Sequence, residues 1–288
     1  MQAKRFVIIN GDDFGFSSGV NQAIIKAHQA GILTSTSLMV SGDAAQEAVA
    51  LAKTHPHLGV GLHLVLCCGK SVLSPSQIPH LVDESGYFPR DAVQAGLRYQ
   101  FNSAAQRELR LEIRAQLEKF HRTGLVLSHV DGHLHLHTHP VVLRLLLELA
   151  QEFQIRVIRL PYEELSMSLN IDRRNLTTKL IWSLVFRQLR RYGENLLTRQ
   201  GIRTVDRVYG LLQTGSMTEE YLLKLIPQIR ANMIEIYSHP ALPLAGEPVN
   251  TGGNLELEAL MSQKLRDVLN EYGFELTNYH ALVAQGEQ

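Results

Sequence analysis

Short apolar runs alternate with amphipathic segments along almost the whole chain, and this alternation constrains the fold more than any other feature. Phe6–Ile9 is a strand candidate, and Val20, Ile24 and Ala27 then recur at helical spacing until Gly31 stops the helix. Thr34–Val40 predicts a second strand, Ala44–Lys53 a helix and Leu58–Leu66 a third strand. Ser103 with Gln106 three residues on reads as a capping box. It opens a helix with the stripe Leu109, Ile113, Leu117 and Phe120, ending near Gly124. Leu125–Val130 is again strand-like, and Pro140 suits the first turn of a largely buried helix, Val141–Ala150. Ile155–Leu160, Val205–Leu212 and Met233–Tyr237 continue the strand series, with helices at Thr218–Arg230 and Leu255–Glu271. Strands that return through helices make right-handed crossovers and a parallel sheet. Six to eight such strands predict an α/β fold, a (β/α) barrel of irregular TIM-like form.

The 288 residues fit one barrel of this kind. No repeat or linker divides them, so 1–288 is expected to form a single domain with two insertions. One is a long connection, 71–102, with Pro75, Pro79 and Pro89, of the sort that often covers a site. The other, 163–204, carries a helix at Asn175–Tyr192 rich in Leu180, Ile181, Trp182, Leu184, Val185, Phe186 and Leu189. Packing on the barrel or on a second subunit is the plainer expectation for that helix. A lid or interfacial helix for a lipid-bearing substrate is the sharper one, since Arg187, Arg190 and Arg191 flank it.

Charge narrows the partners. Lysine and arginine total 28, aspartate and glutamate 28, which argues against nucleic acid as the main ligand. Cys67 and Cys68 are adjacent, a poor geometry for a disulfide and a usage suited to a reducing compartment. The short run Phe6–Ile9 leads straight into acidic residues, so no signal peptide is expected. No stretch approaches the roughly 20 apolar residues of a membrane span. A cytoplasmic enzyme is the expectation.

Four segments carry chemistry, each at the predicted C-terminal end of a strand, where barrels assemble active sites. Asn10-Gly11-Asp12-Asp13-Phe14-Gly15 places two carboxylates side by side; neighbours point different ways, so one can bind a metal while the other faces substrate. By itself this is also a turn sequence. His63 sits in an apolar strand, where a satisfied core histidine is the commoner outcome, but Gly59 and Gly61 permit close backbone approach. Five of the 13 histidines fall between Ser128 and His139. In an extended segment His129, His133, His135, His137 and His139 share one face, with Asp131 among them. Imidazoles at that density, with a carboxylate to fix a tautomer, indicate a metal site. His239, in Glu235-Ile236-Tyr237-Ser238-His239-Pro240, is a candidate proton donor. A carboxylate and two imidazoles around an open position suit hydrolysis, with a second carboxylate as base and a histidine as acid.

Asn-Gly-Asp-Asp-Phe-Gly, Gly-Leu-His-Leu, the His-x-Asp-x-His-x-His run and Ser-His-Pro, in order along nearly the whole chain, resemble the YdjC-like carbohydrate deacetylases, which include chitooligosaccharide deacetylase. Gly61–Leu66, Pro79–Asp83 and the stretch from Glu112 to His139 resemble more narrowly the hopanoid biosynthesis-associated branch. The resemblance implies an irregular barrel, often a homodimer, that removes acetyl from an N-acetylglucosamine-containing substrate, either a glycolipid such as acetylglucosaminyl hopanoid or a chitooligosaccharide. It implies one divalent ion, Mg or Zn, on Asp13, His63 and His133, with Asp12 as base. His239 as acid follows by analogy with the wider polysaccharide deacetylases. Arg159 would hold the base ionised, although an ordinary surface ion pair reads equally well. His129, Asp131 and His135 are left as substrate contacts or supports of the ligands. The rivals are a metal-dependent hydrolase of another bond, phosphoester or formamide, and a non-catalytic metal- or sugar-binding module.

Overall fold

In β1, Arg5–Phe14, side chains alternate between two buried surroundings. Val7 and Ile9 join the main core under the helices, while Ile8 packs with Val157, Val208, Tyr237 and Tyr279 inside the barrel. The period of two then carries Asn10 and Asp12 inward as well. The computed structural model describes residues 4–245 and 251–284. After β1 come α1 (Ser18–Ala30), β2 (Ser35–Leu38), α2 (Ala45–Lys53), β3 (Gly59–Leu64), α3 (Ala92–Phe101), α4 (Ser103–His121) and β4 (Val130–Gly132). A 3-10 turn, His133–Thr138, leads to α5 (Pro140–Leu149), α6 (Leu165–Ile171), α7 (Leu176–Arg199) and β5 (Arg207–Tyr209). The chain closes with α8 (Glu219–Leu225), β6 (Met233–Ser238), α9 (Thr251–Leu260), α10 (Gln263–Glu271), β7 (Phe274–Thr277) and α11 (Tyr279–Ala284).

The strands lie in the order β4-β3-β2-β1-β6-β5, with β7 also paired to β1. All of their ladders are parallel, as the strand–helix alternation requires. Single parallel bridges, Val130 to Ile158 and Val157 to Arg203, link the two ends of the sheet. The result is the α/β fold expected, seven parallel strands in an irregular barrel whose seam is closed by isolated bridges.

Several sequence expectations need correction. Ile155–Leu160 forms no regular strand; it lies in the seam and contributes only those bridges. Leu125–Val130 is extended, but its ladder begins only at Val130. The capping box at Ser103 is absent: Asn102 caps α4, accepting from the amides of Ala104 and Ala105, and Gln106 turns away to the carbonyls of Tyr99 and Gln100. Leu255–Glu271 divides into α9 and α10 at Ser262, whose hydroxyl caps the second helix. β7 had no expectation, because Phe274–Thr277 is too short for periodicity to declare it.

The 71–102 connection contains α3 and packs against α4. Glu112 accepts from the amides of Val72 and Leu73, and Glu108 from that of His80. Ile78, Leu81 and Phe88 are buried beneath it.

Candidate active site

The inward faces of the strands converge on one buried cluster. Arg159, fully buried in the seam, is held by three carboxylates. It forms a two-point pair with Asp12 at 2.7 and 2.8 Å, meets Asp131 at 2.9 Å and Glu235 at 2.5 and 3.1 Å. Removing one partner from such an array leaves uncompensated buried charge, which costs several kcal/mol. Of the two readings of Arg159, the surface ion pair is therefore excluded. Asn10 and Ser37 also donate to Asp12 at 2.8 and 3.4 Å. Burial would raise the Asp12 carboxyl, but the guanidinium outweighs it and holds the acid below its ordinary range.

Beside it, Asp13 turns the other way. Its backbone has φ of 66°, a left-handed conformation that aspartate tolerates better than most residues. Asp13 Oδ1 lies 3.2 Å from His63 Nε2 and 3.0 Å from His133 Nδ1. His63 Nδ1 lies 2.8 Å from Asp131, its register partner across β3 and β4. Burial acts against a charged His63, yet Asp131 and the hydrogen bonds to both aspartates push its pKa up to about 10. Asp13 is in turn held well below the usual carboxylate range, with the two imidazoles outweighing its burial.

This pocket of ligand atoms demands positive charge. Asp13, His63 and His133 offer one oxygen and two nitrogens within 4.8 Å of one another, a donor set that fits a divalent ion. The hydrogen bond from His63 to Asp131 supplies the carboxylate that orients metal-binding imidazoles. Asp12, His63 and Asp131 form a second such group. It suits an ion less well, because Arg159 is already paired with both carboxylates.

The histidine run does not share one face. Leu134 and His135 take positive φ, 49° and 57°, which breaks the segment and scatters its side chains. His129 stacks on Tyr279 with ring centres 3.9 Å apart, behind Asp131. His137 binds the carbonyl of Arg159 at 2.9 Å, and His139 packs edge-on against Tyr99. Only His133 and His135 reach the cleft. His135 Nε2 lies 2.9 Å from the Tyr237 hydroxyl, and burial, aided by Arg159, holds its pKa well below the usual histidine range. It is therefore neutral near pH 7 and suits substrate contact better than proton donation.

A cleft of about 660 Å³ opens above these groups, within the range of sugar-sized ligands. Asp12, His63 and His133 line it on one side, with His135, Tyr237 and His239 beside them. Thr178, Lys179 and Trp182 of α7 and residues of the 211–216 loop also line it. Residues of 71–102 do not line it.

Sequence reading missed three contributors. Glu235 is buried against Arg159 and accepts from Tyr279; burial raises its pKa to about 7 despite the guanidinium. Tyr237 bridges His135 and Thr214. Both lie in the segment that drew attention to His239, and strand alternation back from His239 would have found them. Lys179, buried and bonded to Gln213 at 3.0 Å, had no such signal.

The chain is similar to known proteins over nearly its whole length. Residues 6–271 match the family described as YdjC-like protein. A carbohydrate deacetylase of Brevibacillus brevis is 33% identical over 283 residues, covering 96% of this chain and 99% of its own length. One from Vibrio parahaemolyticus is 30% identical over 288 residues, covering 98% of each. A solved structure from Enterococcus faecalis V583, provisionally described as a cellobiose-phosphate cleavage protein, is similar with a TM-score of 0.74 and 27% identity, covering 97% of this chain and 99% of that one.

Proposed function

This chain belongs to the YdjC-like family of enzymes, and from that premise we propose that it hydrolyses the N-acetyl group of an amino sugar, an N-acetylglucosamine-containing glycolipid or chitooligosaccharide. One observation carries the reading: an aspartate–histidine–histidine donor set stands beside a second aspartate that a buried arginine holds ionised, at the wall of a sugar-sized cleft. The activity for which the relatives are named, carbohydrate deacetylation, supports it.

A divalent ion, Zn or Mg, held by Asp13, His63 and His133 would supply Lewis acidity and make water a better nucleophile. Asp12 takes the proton of the attacking water. Its pairing with Arg159 keeps it unprotonated and fixes its direction, which matters more here than basicity. His239 gives a proton to the departing amine nitrogen, as its place in the same cleft permits. Asp131 holds the His63 ring in one tautomer, and His129 backs Asp131. His135 and Tyr237 present polar atoms to the sugar. The free cysteines Cys67 and Cys68 suit a cytoplasmic setting.

Mass spectrometry of N-acetylglucosamine, a chitooligosaccharide and an N-acetylglucosaminyl lipid after incubation with metal-loaded protein tests this. The expected result is loss of one acetyl group, abolished by chelation and reduced at least roughly 100-fold in Asp12→Asn. Intact substrates with metal bound would sink the deacetylase reading. Release of phosphate or formate from matched esters and formamides would then identify another hydrolase.

A further inference from the structure

Helix α7 carries an apolar face with no partner among the described residues. Leu176, Leu180, Ile181, Leu184 and Val185 are 46 to 62% exposed, and their spacing places them on one stripe. The opposite side is firmly seated through Phe186, Arg190, Gly193 and Leu197. Trp182, 39% exposed, stacks on Phe186 and lines the cleft, so the stripe runs to the cleft mouth. A second exposed stripe, Val93, Leu97 and Phe101, lies on α3. Both helices pack against the 133–138 turn, whose Leu134 is exposed and lines the cleft.

Charge decides what covers this face. Arg173, Arg187 and Arg191 are exposed beside the α7 stripe, and no Asp or Glu occurs between residues 173 and 193. A two-fold contact with a second copy sets the same patch against itself and brings both sets of arginines into one apolar interface with no acidic side chain of residues 173–193 to pair them. An anionic lipid surface satisfies both features, since the apolar side chains enter the headgroup boundary while guanidiniums meet phosphates. No helix of the described residues is long and apolar enough to cross a membrane, so such a contact lies on the surface. We propose that α7 docks this protein on an anionic membrane surface, with the cleft mouth at the lipid boundary.

Cosedimentation of the full chain with vesicles tests the proposal without any turnover, so its failure leaves the hydrolase reading standing. Equimolar phosphatidylcholine and phosphatidylglycerol is compared with phosphatidylcholine alone. The protein is expected to pellet with the anionic vesicles, not the neutral ones, and to be released as salt rises. Arg187→Glu with Arg191→Glu, or Leu180→Ser with Leu184→Ser, should each weaken partitioning by roughly five-fold or more, the scale of one arginine. These side chains are exposed, and circular dichroism checks that each variant folds. No pelleting with anionic vesicles, equal pelleting with neutral ones, or pelleting indifferent to both pairs of substitutions overturns the proposal. So does a dimer in sedimentation equilibrium that Leu180→Ser with Leu184→Ser converts to monomer, which would assign the face to a second copy.

Discussion

At the scale of single residues, the cluster around Arg159 is an exercise in charge matching. One guanidinium faces three carboxylates, so the array favours further positive charge or a proton. Glu235 takes part of that role. Its pKa stands near 7 in the folded protein against an ordinary 4.5, so between these values the folded state holds a proton that the unfolded chain has lost. Stability supplied by this group is complete below about 4.5 and is lost as pH rises through 7. Glu235→Gln should therefore flatten the decline of urea midpoints over that window; an unchanged slope would reject the assignment. Asp13 and His133 stood out in sequence as parts of an adjacent carboxylate pair and a dense histidine run, whereas His63 by itself read more readily as a core histidine and joined them as a metal ligand only through the family resemblance. Their convergence at the strand ends was expected, but its geometry was not, since it depends on the left-handed turn at Asp13 and on the broken backbone at Leu134 and His135.

At the scale of elements, the strands determine which residues point at the site. β3 directs Gly59, Gly61 and His63 to one face and Val60, Leu62 and Leu64 to the other, and the second set joins the core under the helices. Gly61 is there because the His129 ring lies where its side chain would be: an added Cβ would come within 2.3 Å of that ring. The ring cannot retreat, being stacked on Tyr279. Gly61→Ala should cost about 1–3 kcal/mol by crowding, read as a lowered urea midpoint. A midpoint within error of the parent would mean the cluster is looser than its contacts suggest. The close approach near a site that the flanking glycines promised is thus found, though it serves the support of Asp131 and not a ligand. Helix boundaries were legible where capping side chains announce them, as at Thr218, and misread where two candidates adjoin, as at Asn102 and Ser103.

At the scale of the molecule, the seam is the weak place, and α7 mends it. Between the 155–160 and 202–205 segments a single isolated bridge, Val157 to Arg203, runs. Arg190, which the sequence placed on the exposed flank of its helix, instead reaches inward and donates to the carbonyls of Leu160 and Val205, one from each side, at 2.8 Å. Arg190→Met leaves both buried acceptors unpaired, at about 1–3 kcal/mol or more. Faster amide exchange in 155–160 and 202–205 is expected, and exchange unchanged there would deny α7 this role. The sequence by itself determined the parallel α/β architecture and the residue types of the site, because strand–helix alternation and the chemistry of carboxylates and imidazoles are local properties of the chain. Only the tertiary structure decided that Arg159 binds Asp12, that Asp131 orients His63, and that three of the five clustered histidines face away from the cleft. Those outcomes depend on strand register and on backbone turns that bring together residues 68 to 147 positions apart, and no local pattern in the sequence encodes such a distance.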